Sequence, residues 1–138
     1  MVHSDEISFS TKGFSDSNNI TTQVERVVKD SKVRNGLVNV SVIGSTASVS
    51  TIEFEPALVQ DMQEQLDNLV PRTLHSRHSA TWGDDNGFSH IRATIMGPGI
   101  TLPVADGQVV LGTWQQVVVI DHDNRPRDRR VFIQVLGE

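Results

Sequence analysis

The final third of the chain constrains the fold more than any other stretch. Ile100 to Val104, Val109 to Leu111, Gln115 to Asp121 and Val131 to Leu136 are short apolar or β-branched runs, and Asp106-Gly107 supplies a tight turn between the first two. Gly112 interrupts an otherwise continuous strand, which marks a bulge or a close backbone approach. Upstream, Ile7 to Ser10 alternates apolar and polar residues. Leu37 to Val42 and Ala47 to Glu53 read as two further β segments, a hairpin or adjacent pair joined through Gly44-Ser45-Thr46. Helices stand between these runs. Ile20, Val24, Val27 and Val28 share one helical face, with Thr22 and Glu25 at capping-box spacing. Pro56 opens a second amphipathic helix bearing Leu58, Val59, Met62, Leu66 and Leu69, which Pro71 ends. A short third helix runs from Ser89 to Met96 and stops at Gly97-Pro98. This order lacks the strict strand-helix alternation of a parallel doubly wound sheet. The expectation is therefore an α+β fold: a mostly antiparallel β-sheet, two main helices and one short helix.

A chain of 138 residues and 15.2 kDa fits one domain, residues 1–138, and is long enough to bury a core without staples. With no cysteine and no tyrosine, it has no thiol nucleophile, thiolate metal site or phenolic acid. The formal charge of -5 argues against nucleic acid or an acidic membrane as a general partner, since counterion release needs a positive face. Lys12, Lys29 and Lys32 are the only lysines, so anions bound by later residues must meet arginine, histidine, backbone N–H groups or a metal. The longest aliphatic run, Val117 to Ile120, is far too short to span a bilayer, and the N-terminus has no basic and apolar signal regions. A cytoplasmic protein is expected.

Chemistry concentrates between Thr73 and His90. His75, His78 and His90 lie in or beside a polar loop with Asp84, Asp85 and Asn86, and two imidazoles flanking a loop that closes onto a helix can meet at one metal ion with a carboxylate completing the set. The competing reading is local: the acidic residues and Asn86 close turns, Ser89 caps the helix, and the histidines are loop residues. Gly44-Ser45-Thr46-Ala47 can cradle a phosphate through backbone N–H groups and hydroxyls, or serve only as a turn. Glu53, at the end of a strand before a helix, can act as a general base, whereas Glu55 beside Pro56 is explained by the helix dipole. Trp114 with Gln115 can line a ring-binding pocket, or Trp114 can belong to the core. The cluster Arg125 to Arg130 reads as a hairpin turn paired with Asp121, Asp123 and Asp128.

Taken together, these residues resemble the YjbQ-like family, also called the secondary thiamine-phosphate synthase family, over about residues 7–137. The resemblance rests on Gly44-Ser45-Thr46-Ala47, Glu53 and the helix bearing Asp61. It continues through His78-x3-Trp82-Gly83-Asp84-x-Asn86-Gly87-x-Ser89-His90, Pro103-Val104-x2-Gly107, Leu111-Gly112-Thr113-Trp114-Gln115 and the arginine-rich C-terminal strand. It implies a compact α+β domain assembled as a homotrimer, with a polar pocket near subunit boundaries. It also implies an activity like thiamine-phosphate synthesis: coupling a hydroxymethylpyrimidine diphosphate to a thiazole phosphate with loss of pyrophosphate. On this basis Glu53, His78 and His90 are the expected catalytic residues, with His78 and His90 also the expected ligands of a divalent metal, zinc or magnesium. Ser45 and Thr46 would contact phosphate, and Asn86 and Gln115 would orient the substrate. The diphosphate charge would fall to Arg77, Arg92, Arg127 or Mg2+. Where many members carry a histidine, this chain has Gly44, so a third imidazole is missing there. The alternative is a trimeric metal- or metabolite-binding protein without turnover.

Overall fold

In the computed structural model, which describes residues 1–138, twelve elements follow one another. They are β1 (Val2–Ser10), β2 (Asp16–Asn19), α1 (Thr21–Ser31), β3 (Gly36–Ile43), β4 (Ala47–Glu53), α2 (Pro56–Leu69), α3 (Arg77–Trp82), α4 (Gly87–Met96), β5 (Gly99–Ala105), β6 (Gln108–Val109), β7 (Gln115–Asp121) and β8 (Asp128–Gly137). All pairings are antiparallel. A five-stranded sheet has the order β1-β8-β3-β5-β6, and a three-stranded sheet the order β2-β7-β4.

The α+β expectation holds, with three differences. A further short helix, α3, forms inside the polar loop, because Ser76 caps its first turn and Gly83, at φ 72°, ends it in the left-handed conformation. The second difference is that β3 and β4 are not a hairpin. Gly44 to Thr46 instead carries the chain from the large sheet to the small one, so each of the two strands finds partners from the C-terminal third. The Thr22–Glu25 capping box is also absent: α1 starts after Ile20 with no side-chain cap. The Asp106-Gly107 turn forms as expected, with both residues at positive φ, and joins β5 to β6.

Between the sheets lies one core. Val38, Val40, Val42, Val131, Ile133 and Val135 point inward from the large sheet, Ala47, Val49, Val117 and Val119 from the small one, and α1 adds Val24, Val27 and Val28. Each such fully buried aliphatic side chain contributes on the order of 1.5–3 kcal/mol. Period two then decides what happens at one end of this core. Asp121 and Asp123 are in phase with Val117 and Val119, and Arg129 with Val131, so the strand geometry that buries the valines buries these charges too. Val118, Ile120 and His122 take the other face and are equally buried; α4 packs on this small sheet through β4.

Candidate functional site

The polar loop is held in place by small side chains. Ser76 Oγ accepts from the Ser79 N–H at 3.0 Å and donates to Ser79 Oγ at 2.8 Å, and Ser79 Oγ accepts from the Gly87 N–H at 3.2 Å. A Cβ at Gly87 would collide with Ser76, so glycine there allows α3 and α4 to touch. The result is that His78, on the first turn of α3, and His90, on the first turn of α4, stand with ring centroids 4.5 Å apart at 47°. Asp84 Oδ1 lies 3.4 Å from His78 Nδ1, a nitrogen shielded from solvent that has no hydrogen-bond partner. The Asp84 carbonyl accepts from Asn124 Nδ2 at 2.8 Å, which fastens the loop to the β7–β8 connection.

Asn86 sits between two carboxylates. With its nitrogen toward Asp84 it donates to both oxygens, at 3.0 and 3.1 Å; the opposite orientation gives one contact of 3.4 Å to Asp123. We assign the first, because the contacts are shorter and Asp123 already accepts from the Asn124 N–H, Thr46 Oγ1 and Arg127. Asn86 thus aims Asp84 toward His78, and it does so beside a buried ionic layer. In that layer Arg129 grips Asp121 through two hydrogen bonds of 2.6 and 2.8 Å and donates to Thr46 Oγ1, while Thr11 also donates to Asp121. Burial pushes both carboxyl groups up. Their donors outweigh it and hold both below the usual carboxylate range: Arg129, Thr11 and the Asp123 N–H on Asp121, and the Asn124 N–H, Thr46 and Arg127 on Asp123.

Behind the layer is His122, fully buried, with Nδ1 2.8 Å from Ser15 Oγ and Nε2 2.9 Å from Ser48 Oγ. Burial, reinforced by the positive charge of Arg92, pushes its pKa down to about 4. Arg92 is itself fully buried. It donates twice to the Val70 carbonyl, once to Asp67 and once to Ser15, so it ties α2 to α4 rather than waiting for a substrate phosphate.

The expected site residues divide into two places. His78, His90 and Asn86 come together, and Thr46 joins them from below with its hydroxyl committed to Asp123 and Arg129; Ser45 beside it is exposed. Glu53 and Gln115 are cross-strand partners at the other end of β4, six residues from Ala47, or roughly 20 Å at the strand rise. Glu53 lines a separate depression of about 440 Å³ with Asn19, Phe54, Thr113, Trp114 and Gln116, and within one chain it does not face the histidines. The Gln115 amide closes the 112–115 loop by accepting from the Gly112 N–H at 2.9 Å and donating to Thr51 at 3.1 Å. Trp114 is exposed rather than in the core. No three His, Asp or Glu side chains converge as a metal site. Of the arginines, Arg77 is exposed with no carboxylate in pairing distance, and Arg127 is spent in part on Asp123. The expected pairing of the arginine cluster with Asp121 and Asp123 forms, as Arg129–Asp121 and Arg127–Asp123, but buried rather than in a solvated turn; the sequence does not single out His122 or Asp84 as a partner of His78.

The class defined here is a two-sheet antiparallel α+β domain with a surface histidine pair over a buried carboxylate–guanidinium layer. The chain belongs to the family described as "UPF0047 protein YjbQ-like", which it matches over residues 5–138. It is 37% identical to a UPF0047 protein of Methanothermobacter thermautotrophicus over 119 residues, covering 86% of this chain and 81% of that one. A UPF0047 protein of Synechocystis is 31% identical over 137 residues, 99% of this chain and 92% of its own. Among solved structures, a YbjQ-like protein of unknown function from Sulfolobus solfataricus superposes with a TM-score of 0.95 at 31% identity, covering 100% of this chain and 99% of that one. An uncharacterised YjbQ/UPF0047 protein from Clostridium acetobutylicum gives 0.87 at 28% identity, with coverage of 96% and 99%. No helix is long and apolar enough to cross a membrane.

Proposed function

We propose that this chain is an enzyme whose reaction centre is the His78–His90 pair, acting on small phosphorylated heterocycles in a thiamine-phosphate-synthase-type coupling. One observation carries the reading: two imidazoles 4.5 Å apart, one of them faced by a carboxylate that a buried amide aims. In the coupling, the thiazole nitrogen attacks the methylene carbon of the pyrimidine. The C–N bond forms as the C–O bond breaks, and pyrophosphate departs with the electron pair. A protonated imidazole donating to the departing oxygen stabilises that charge, and Arg77 adds a cation at the rim. Magnesium enters this reading as a companion of the substrate diphosphate, since the chain offers no converged ligand set of its own.

The assembly belongs to the same reading, as a homotrimer. On the outer face of the large sheet, Val2, Leu136, Leu37 and Pro103 form one cross-strand row of exposed apolar residues, followed by Ser4, Gln134, Asn39 and Thr101. Phe132 and Ile43 continue the face, whose only charges from Val2 to Ser8 are Glu6 and Arg130, paired at 2.6 Å. A second and third copy would cover this surface. The test of the reaction is pyrophosphate release when purified protein is given the pyrimidine diphosphate, the thiazole phosphate and Mg2+. Release at a rate well above the protein-free control is expected. Binding of both substrates without release would contradict turnover and leave a binding protein.

A further inference from the structure

We infer that a second, separate site lies between the last turn of α1 and the β5–β6 turn, and that it binds a small organic phosphate bearing sugar hydroxyls, such as a nucleoside diphosphate. This site does not depend on the chemistry proposed for the histidines, none of which lines it.

The groove has a volume of about 710 Å³, within the range of about 300–1,000 Å³ usual for small-ligand sites. Three cations converge on it. Lys29 stands in the last turn of α1, and Lys32, at φ 60° in the left-handed conformation that ends the helix, lines the same groove. Arg34 joins from beyond the helix, and its carbonyl accepts from the Gly107 N–H at 3.0 Å, which fixes the opposite wall. In a chain of net charge -5 with only three lysines, two of them share this one concavity.

These charges are also free. Neither lysine has a carboxylate within the 4.0 Å of an ion pair, although Glu25 stands one turn before Lys29 in the arrangement that favours pairing. Arg34 has only a loose contact, 3.8 Å to Asp106, with both side chains largely exposed. A cation near the C-terminal carbonyls of a helix is favourable in itself, which accounts for Lys29 and Lys32 one by one. It does not account for Arg34, beyond the helix, lining the same groove as both.

The remaining lining selects the ligand. A phosphate spans Lys29, Lys32 and Arg34; Glu25 and Asp106, at the rim, are acceptors for hydroxyl groups; Val109, half-buried, offers an apolar edge for a ring. Bare phosphate would satisfy the cations and leave those acceptors opposed to it. A phosphorylated sugar satisfies both.

The test is titration of the full-length protein with ADP and, separately, with inorganic pyrophosphate, at low salt, read by amide NMR and calorimetry. ADP should shift amides of residues 29–34 and 106–109 and bind at least fivefold more tightly than pyrophosphate. The double variant Lys29→Gln/Lys32→Gln, whose side chains are exposed, should weaken ADP at least tenfold while lowering the thermal melt by no more than a few degrees, and Lys12→Gln should change ADP binding less than twofold. Three results would overturn the proposal: no shifts at these amides with millimolar ADP, equal weakening by Lys12→Gln, or equal affinity for pyrophosphate and ADP.

Discussion

His122 is kept neutral by burial, with the positive charge of Arg92 and Arg129 nearby, against the opposing pull of the Asp121 carboxylate. In the unfolded chain the same ring titrates near 6.5, and in the native state near 4. The native protein therefore binds fewer protons than the unfolded one between these values. The stability tied to the neutral ring is complete above about pH 6.5 and is lost as pH falls through about 4, a loss on the order of 3 kcal/mol. Chemical denaturation from pH 7 to pH 4 should show this fall, and His122→Gln should flatten it while lowering stability at pH 7. The Asp121–Arg129 pair makes a second prediction. Arg129→Ala leaves a buried carboxylate without its guanidinium and should cost about 3–5 kcal/mol in urea unfolding, whereas the paired change Asp121→Leu/Arg129→Met should recover part of it. The signal for this layer was present in the sequence as phase: Asp121 and Arg129 continue the period-two series of Val117, Val119 and Val131, Ile133. The pairing of these aspartates with the arginines is legible in the sequence, but its burial is not, because charged residues beside a turn rich in arginine read equally well as a solvated hairpin. Thr46 was misread for the same reason: its position in a Gly-Ser-Thr turn says nothing of the Arg129 and Asp123 side chains that occupy its hydroxyl.

Elements whose apolar period is long were legible, and those set by tertiary contacts were not. α2 begins at Pro56 and ends at Leu69 as its hydrophobic spacing and two prolines require, and Glu55 caps it through the Ala57 and Leu58 N–H groups. The pairing of β3 and β4 was not legible, because a short glycine-containing link serves equally for a hairpin and for a step between sheets. α3 was hidden in a loop composition, its six residues too few to show a period. Yet α3 and α4 together place the histidine pair, and their contact depends on Gly87. Gly87→Ala should force Ser76 aside, destabilise the domain by about 1–3 kcal/mol in thermal or urea unfolding, and loosen His78 from His90. Ser76→Ala, which removes the α3 cap, should cost about 1 kcal/mol and speed hydrogen exchange in residues 77–82 while leaving the core strands protected.

At the scale of the whole molecule, the chain buries its valine core yet leaves Val2, Leu37, Leu136, Phe132 and Ile43 exposed on the outer face of its larger sheet. Sedimentation equilibrium should give a mass three times the 15.2 kDa of one chain. The variant Leu37→Asp/Leu136→Asp should sediment as a folded monomer, since both side chains point away from the core. Across the same molecule, the two ends of β4 carry different furniture: the histidine pair and ionic layer near Ala47, and the Glu53–Trp114 depression at the other end. The proposed chemistry belongs to the first. The most direct test is kcat/KM for pyrophosphate-releasing coupling in His78→Ala and His90→Ala, with thermal melts to verify that each half-exposed position tolerates the change. A fall of about 100-fold or more is expected in each variant, with folding preserved. Rates within a few-fold of the unsubstituted protein in both variants would contradict the proposed chemistry.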